Sequence, residues 1–387
     1  MIRLDTCIII KNEKDNVAKL IPQLLQFSDE IHFTDTGSTD GTLEVLQSFQ
    51  NEHKNVFIHH FDWIDDFSAA RNYSLYCYED TDTSDYKFWC DADDLLTNEL
   101  IKKLQEFKTQ ELENMTDCYM IEYLYAKDFF QTRIPLINTK KHFTWHDAIH
   151  EFLAVDGENY DENIQYFVRS RNEYLVHQRV HVHTDRNLHI FFSMLNKNTT
   201  FTARNYFYFA TELMNHAYPH LAIPMFMNCI YHKDVNYLDK INAGVSLYKI
   251  FKIYPNLKED FKQICDIKKV LLYMYDNQFV RADIYNAIGD IYFDEGKKVL
   301  AEQFYHKALD ELDCHIMLSF LYDHKMAAIT CLLQLSLIEY YDFHNKQKSF
   351  EYNKKLNELY PDCEQAINNM KIIASELVQE QKQNESK

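Results

Sequence analysis

Four short clusters within the first 151 residues combine carboxylates, an arginine and histidines at spacings suited to chemistry. The acidic triplet Asp91-Ala92-Asp93, with Asp94 beside it, directly follows the apolar run YKFWC. In an extended segment residues i and i+2 point the same way, so Asp91 and Asp93 are expected to share one face and one cation. Hard oxygen ligands at a strand end suit Mg2+ or Mn2+ bridging a diphosphate; the alternative is a solvated acidic turn. The second cluster, Asp35 to Thr42 (DTGSTDGT), holds two of the chain's six glycines. A Gly-rich turn feeding a helix exposes backbone N–H groups to a ligand, whereas a tight capped turn uses the same residues structurally. In the third, Asp66 to Asn72 (DFSAARN), Arg71 lies one turn into a helix. Its fork can grip phosphate, hold Asp91, or serve only a surface ion pair. The fourth is Trp145 to Glu151 (WHDAIHE), with His177, His181 and His183 downstream. A carboxylate beside a histidine can act as a base toward an acceptor, and a downstream histidine can complete a metal site begun by the triplet. Any one of these histidines alone is more often structural.

The elements that must carry these clusters are legible in the hydrophobic pattern. Thr6–Ile10, Glu30–Thr34, Asn55–His59 and Tyr86–Cys90 read as short buried strands. Asp15–Phe27, with apolar residues at Val17, Leu20, Ile21, Leu24 and Leu25, reads as a helix, as do Thr42–Phe49 and Phe67–Tyr78. Strand–helix alternation implies a parallel sheet covered on both faces, with ligands at the carboxyl ends of the strands. From about Leu188 onward strand signals disappear. Tyr285–Ala308 matches the tetratricopeptide pattern, with Gly289, Ala301 and Ala308 letting two helices cross closely and Tyr305 filling between them. Tyr206–Cys229 fits more loosely, and a third unit ends at Leu359-Tyr360-Pro361. The domains expected are therefore 1–185, a connecting helix at 186–199, a helical repeat domain at 200–375, and a polar, frayed tail at 376–387.

Composition narrows the function. Of 387 residues 46% are hydrophobic, enough for sizeable cores, and only six Gly and six Pro favour long helices over an all-β fold. The 59 acidic and 40 basic residues give a net charge of −19, which disfavours general nucleic-acid binding. Nine scattered cysteines without a CxxC pair read as reduced thiols. With no signal-peptide pattern at the start and no apolar run long enough to span a bilayer, a cytoplasmic protein is expected.

Taken in order, strand, NE, strand, DTGSTDGT, DFSAARN, DAD and HE, then His, resemble family-two glycosyltransferases of the metal-dependent GT-A type over roughly residues 4–185. DWxxDFSxARN, a late IHE and a helical-repeat tail are similar to a narrower branch of bacterial peptide glycosyltransferases that includes the sublancin S-glycosyltransferase. The resemblance implies an α/β nucleotide-sugar-binding domain followed by an all-α tetratricopeptide-like domain. Asn12, Glu13, Asp35, Ser38, Arg71, Asn72, Asp91 and Ala92 would line the nucleotide-sugar site. Asp91, Asp93 and His177 would hold Mg2+ or Mn2+. Glu151, with His150, would serve the acceptor. Gln178-Arg179-Val180 after His177 departs from the branch's Gly-Tyr pair, so His181 and His183 stay open as the ligand. The implied reaction moves a hexose, UDP-glucose being the first donor to try, to a peptide or protein Cys or Ser/Thr of bacteriocin type, with inversion. The repeats would bind the acceptor or support a homodimer. Competing expectations are a capsule or lipopolysaccharide enzyme with a sugar hydroxyl acceptor, a helical-repeat adaptor carrying an inactive domain, and, weakest, a nucleotide-sugar pyrophosphorylase, whose Lys-containing entry loop is missing.

Overall fold

A computed structural model describes residues 1–111, 116–126, 129–155, 164–166, 174–177, 184–233, 236–312 and 324–385. The chain divides into two compact units, Met1–Thr199 and Thr200–Lys387. The first unit opens with β1 (Leu4–Ile10), α1 (Lys14–Leu24), β2 (Ile31–Asp35), α2 (Thr42–Glu52), β3 (Val56–His60), α3 (Phe67–Tyr76) and β4 (Tyr86–Trp89). This is the alternation the apolar runs predict, and the strands pair in parallel in the order β3-β2-β1-β4. There follow β5 (Asp94–Leu96), α4 (Asn98–Lys108), β6 (Cys118–Ala126), β7 (Phe129–Asn138), β8 (Phe143–His146), β9 (Phe152–Val155), β10 (Ile164–Tyr166), β11 (Tyr174–His177) and α5 (Arg186–Asn196). Antiparallel β7 joins β4 and extends the sheet through β6 and β11 to β5; β10 pairs with β6, and β8–β9 form a separate hairpin.

Both faces of the parallel strands are covered, as their continuous apolar character requires. Leu4, Ile8, Ile10, Ile31, Phe33, Tyr86 and Phe88 pack against Val17, Leu20, Ile21 and Leu24 of α1, Leu46 of α2, and Leu100, Leu104 and Phe107 of α4. On the other face Cys7 and Trp89 pack with Leu75 of α3 and with Phe143, Trp145 and Leu153 of the hairpin. The hairpin therefore closes over the same face of the sheet that α3 covers.

The second unit is helical throughout its described residues: α6 (Ala203–Asn215), α7 (Pro219–Tyr231), α8 (Tyr237–Ile253), α9 (Pro255–Asp260), α10 (Ile267–Asp276), α11 (Ala282–Asp294), α12 (Lys298–Leu312), α13 (His324–Leu337), α14 (Lys346–Leu359) and α15 (Glu364–Glu385), with a π turn at Ile338–Asp342. The segments singled out as repeats are the helix pairs α6–α7 and α11–α12. Gly296, at φ +74°, turns the chain between α11 and α12, a left-handed position that suits glycine. A Cβ on Gly289 would stand 2.7 Å from the ring of Tyr305, so the absent side chain sets how closely these helices approach. The segment read as a polar tail continues as helix to Glu385. No helix among the described residues is long and apolar enough to cross a membrane. All eight described cysteines are free thiols.

Candidate active site

Strand order brings two of the clusters, those after β2 and β4, together. The carboxyl ends of β2, β1 and β4 are neighbours, about 4.8 Å apart, so the loops after them share one rim of the sheet. Asp35, the last residue of β2, is buried, and its carboxylate accepts the N–H groups of Gly37 at 3.0 Å and Ser38 at 3.2 Å. Gly37 adopts φ +101°, which keeps this turn tight. Asn12, after β1, also lies in the left-handed region at φ +57°. Its Oδ1 accepts the Thr39 N–H at 2.7 Å, and its own N–H donates to Ser38 Oγ at 3.0 Å. The Glu13 N–H donates to Thr42 Oγ1 at 2.9 Å. Asn12, Glu13, Asp35 and Ser38, four residues expected at the nucleotide, thus knit two adjacent loops into one surface.

The acidic cluster follows β4. The expectation of an extended Asp91–Asp93 segment fails in its geometry: Ala92 and Asp93 form a turn, closed by the Asp94 N–H donating to the Asp91 carbonyl at 3.1 Å. The turn brings a third carboxylate into play, and oxygens of Asp91, Asp93 and Asp94 lie within 4.8 Å of one another. Ala92 itself is buried in the core. Asp94 is fully buried, and its Oδ2 accepts the Asp91 N–H at 2.7 Å. A cluster built only of carboxylate oxygens fits Mg2+ or Mn2+ in ligand type.

Both carboxylate oxygens of Asp91 accept from arginines. Its Oδ1 accepts Arg71 Nη2 at 2.7 Å and its Oδ2 accepts Arg133 Nη1 at 2.9 Å. Burial alone would raise its pKa, yet the two guanidiniums hold it well below the usual carboxylate range. Arg71 turns its Nε to Glu151 Oε1 at 2.7 Å, so one fork spans both carboxylates. Burial opposes its charge, but Asp91 and Glu151 together raise its pKa above the ordinary arginine value. The guanidinium packs against both indoles of Trp89 and Trp145, at 5.0 and 4.9 Å from the ring centroids, and the two rings meet each other edge-to-face at 4.7 Å.

Arg71 is placed by α3, whose N-cap Asp66 accepts the Ala69 N–H at 2.9 Å. Asn72 was expected beside the nucleotide sugar, but both ends of its amide are taken by the Trp145 backbone, at 2.9 and 2.7 Å. It ties α3 to the hairpin and so fixes the indole over Arg71. Glu151 follows His150, whose backbone at φ +54° is left-handed and whose ring lies 6.3 Å from that of Phe191 in α5. His177 stands opposite Asp94 in the antiparallel β5–β11 register, which brings its backbone beside the acidic cluster. His181 and His183 lie outside the described residues.

Arg133 was not among the residues expected at the site. It sits in β7, two residues before Pro135, where the β6–β7 register shifts between Tyr119 and Ile121. A bulge is where a strand accommodates a proline that has no N–H for the ladder. The carbonyl of Ile134 at this irregularity accepts Trp89 Nε1–H at 2.6 Å, anchoring the other indole that flanks Arg71.

Residues 5–153, within the first unit, match the family model described as Glycosyl transferase family 2. No curated protein matches the chain. Among solved structures the chain is similar to TarS of S. aureus, at 12% identity and a TM-score of 0.37, over 74% of this chain and 55% of that one. It is also similar to a mannosyltransferase of Pyrobaculum calidifontis in complex with GDP-Man and Mn2+, at 9% identity and a TM-score of 0.35, over 81% and 87% of the two chains. A thermophilic TPR protein of Thermus thermophilus is similar at 16% identity and a TM-score of 0.31, over 50% of this chain and 90% of that one.

Proposed function

We propose that the protein transfers a hexose from a UDP-sugar to a peptide or protein side chain, Cys or Ser/Thr, with inversion at the anomeric carbon. The observation that carries this reading is the Asp91–Arg71–Glu151 chain at the mouth of the sheet, which holds a carboxylate on each side of one buried guanidinium. The loop surface built by Asn12, Glu13, Asp35 and Ser38 is the natural seat for the nucleotide, because it lies at the carboxyl ends of adjacent parallel strands.

A divalent cation, Mg2+ or Mn2+, would be held by Asp91 and Asp93, with Asp94 beside them and His177 as a further ligand, and would supply charge neutralisation for the departing diphosphate. Asp91, whose two oxygens already accept from Arg71 and Arg133, is also read as the group that orients those arginines toward the donor. Glu151 takes the proton from the acceptor as its hydroxyl or thiol attacks, with His150 beside it on the acceptor side. A thiol asks less of that base, since its free pKa is about 8.5. Trp89 and Trp145 exclude water from the guanidinium that joins the two sides. The helical unit selects the acceptor or assembles a homodimer.

The test is UDP release and product mass from a panel of UDP-sugars with a Cys-containing peptide, a Cys→Ser peptide and a glycan acceptor, for the wild type and Glu151→Gln. Expected are transfer to a peptide by the wild type, and unchanged donor affinity by calorimetry with little transfer in Glu151→Gln. Transfer only to the glycan would move the acceptor to the capsule or lipopolysaccharide class. No hydrolysis of any UDP-sugar would favour an adaptor with an inactive domain.

A further inference from the structure

The opposite end of the parallel strands carries ligand-type side chains that the proposed reaction does not use. Asp5 in β1, Glu30 just before β2 and His32 in β2 each bring a carboxylate oxygen or ring nitrogen within 4.8 Å of one another. Ile10, at the catalytic rim, lies five residue steps along β1 from Asp5, about 17 Å of extended chain.

Asp5 is 0% exposed. Its Oδ1 accepts the Glu30 N–H at 3.1 Å, whereas its buried Oδ2 has no hydrogen-bond partner. Leaving a buried carboxylate oxygen unpaired is expensive, and burial accordingly pushes the Asp5 carboxyl up to about 7. The neighbouring cation Arg3 uses the other oxygens: its Nη2 lies 2.5 Å from Glu30 Oε1, and its Nε lies 3.8 Å from Asp5 Oδ1. Lys87 is turned away to Asp82, at 2.7 Å, and to the Leu75 carbonyl.

The third member is set up as a ligating imidazole is. His32 Nε2 lies 3.2 Å from Glu30 Oε2, and His32 Nδ1 lies 3.0 Å from His59 Nε2. Without a cation Nε2–H donates to Glu30; with one bound, the proton would move to Nδ1 and donate to His59, freeing the Nε2 lone pair for the ion, while the Tyr78 ring stacked at 3.5 Å fixes the orientation. Burial holds His32 down to about 3, in the neutral form that binds metal.

We propose that Asp5, Glu30 and His32 form a second divalent-cation site, distinct from the acidic cluster. One imidazole and two carboxylates select a borderline ion, Zn2+ over Mg2+, clipping the amino-terminal ends of β1 and β2 together. Glu30 and Arg3, with side chains 29% and 37% exposed, form its entrance.

The experiment uses the metal-stripped full chain carrying Asp93→Ala, to weaken the acidic cluster, loaded with Zn2+ and counted for bound zinc after gel filtration. One zinc per chain is expected, with a zinc-dependent rise in Tm. Adding His32→Gln should remove it. Glu30→Gln, at a partly exposed position, should weaken zinc affinity roughly tenfold or more. The proposal is overturned if Asp93→Ala retains no zinc. It is equally overturned if zinc and the Tm rise survive Glu30→Gln unchanged, a result that stands even should His32→Gln fail to fold.

Discussion

Arg71 and Glu151 should be energetically coupled, and the coupling should be readable without substrate. Their side chains are 11% and 14% exposed and meet at 2.7 Å. A hydrogen bond between charged groups is worth about 1.5–3 kcal/mol net, and removing one partner of a buried pair costs about 3–5 kcal/mol because the other is left uncompensated. Arg71→Met strips a partner from both Asp91 and Glu151, although Asp91 keeps Arg133, so a loss of about 3–5 kcal/mol is expected. Glu151→Gln leaves an amide that still accepts from Nε and should cost about 1–2 kcal/mol. The double variant should cost less than the sum, giving a coupling of about 1.5–3 kcal/mol. Arg71→Lys should rescue little, since a single ammonium does not span two carboxylates as the fork does. The assay is urea unfolding followed by tryptophan fluorescence. All three tryptophans, Trp63, Trp89 and Trp145, lie in the first unit, so the signal reports that unit alone even though the two units need not unfold together. A coupling below about 0.5 kcal/mol, or an Arg71→Met variant as stable as the wild type, would refute the pairing and the bridge built on it.

Substitutions at two further positions probe what positions the site and what stands apart from it. Asn72→Ala removes both bonds to the Trp145 backbone and should lower stability by about 1–3 kcal/mol while reducing UDP-sugar turnover; Asn72→Asp, which still accepts the Trp145 N–H, should be milder in both respects. Urea midpoints and UDP release check this, and normal turnover in Asn72→Ala would mean the hairpin needs no such tether. Gly289→Ala places a methyl group 2.7 Å from a Tyr305 ring whose hydroxyl is pinned to Asp290 at 2.7 Å, so overpacking should cost about 1–3 kcal/mol in the helical unit. Far-UV circular dichroism should show the lower melting transition, with metal-dependent UDP-sugar hydrolysis unchanged.

The parallel half of the sheet was legible because each strand is a short apolar run bounded by a turn signal, and the helices between them show a clear amphipathic spacing. The same is true of α11–α12, where Gly289 and Tyr305 make a matched small–large contact. The antiparallel half was not legible. Pro135 within β7 argues against a strand, and only the register shift beside it accommodates the proline. Arg133 was lost with that strand, although an arginine inside TRIPLIN, an otherwise apolar stretch, was a usable signal. Asp94 was undervalued because an extended segment turns it away from Asp91 and Asp93, whereas the turn actually formed turns it inward. Asn72 lay in a recognised motif but does its work through the Trp145 backbone, a contact 73 residues away that no local spacing reveals. The convergence of Arg71, Asp91 and Glu151 was an open choice among partners until the two hydrogen bonds of the Arg71 fork joined all three.

The central claim is that the acidic cluster makes sugar transfer depend on a divalent cation. The direct measurement is the rate of UDP release from UDP-glucose, or from whichever UDP-sugar the panel selects, by wild type and Asp93→Ala, first in excess chelator and then after Mn2+ or Mg2+ is restored. Chelated wild type should be inactive and recover with metal, while Asp93→Ala should stay folded by tryptophan fluorescence and lose most of its turnover under both conditions. Full turnover by Asp93→Ala in chelator would contradict the account.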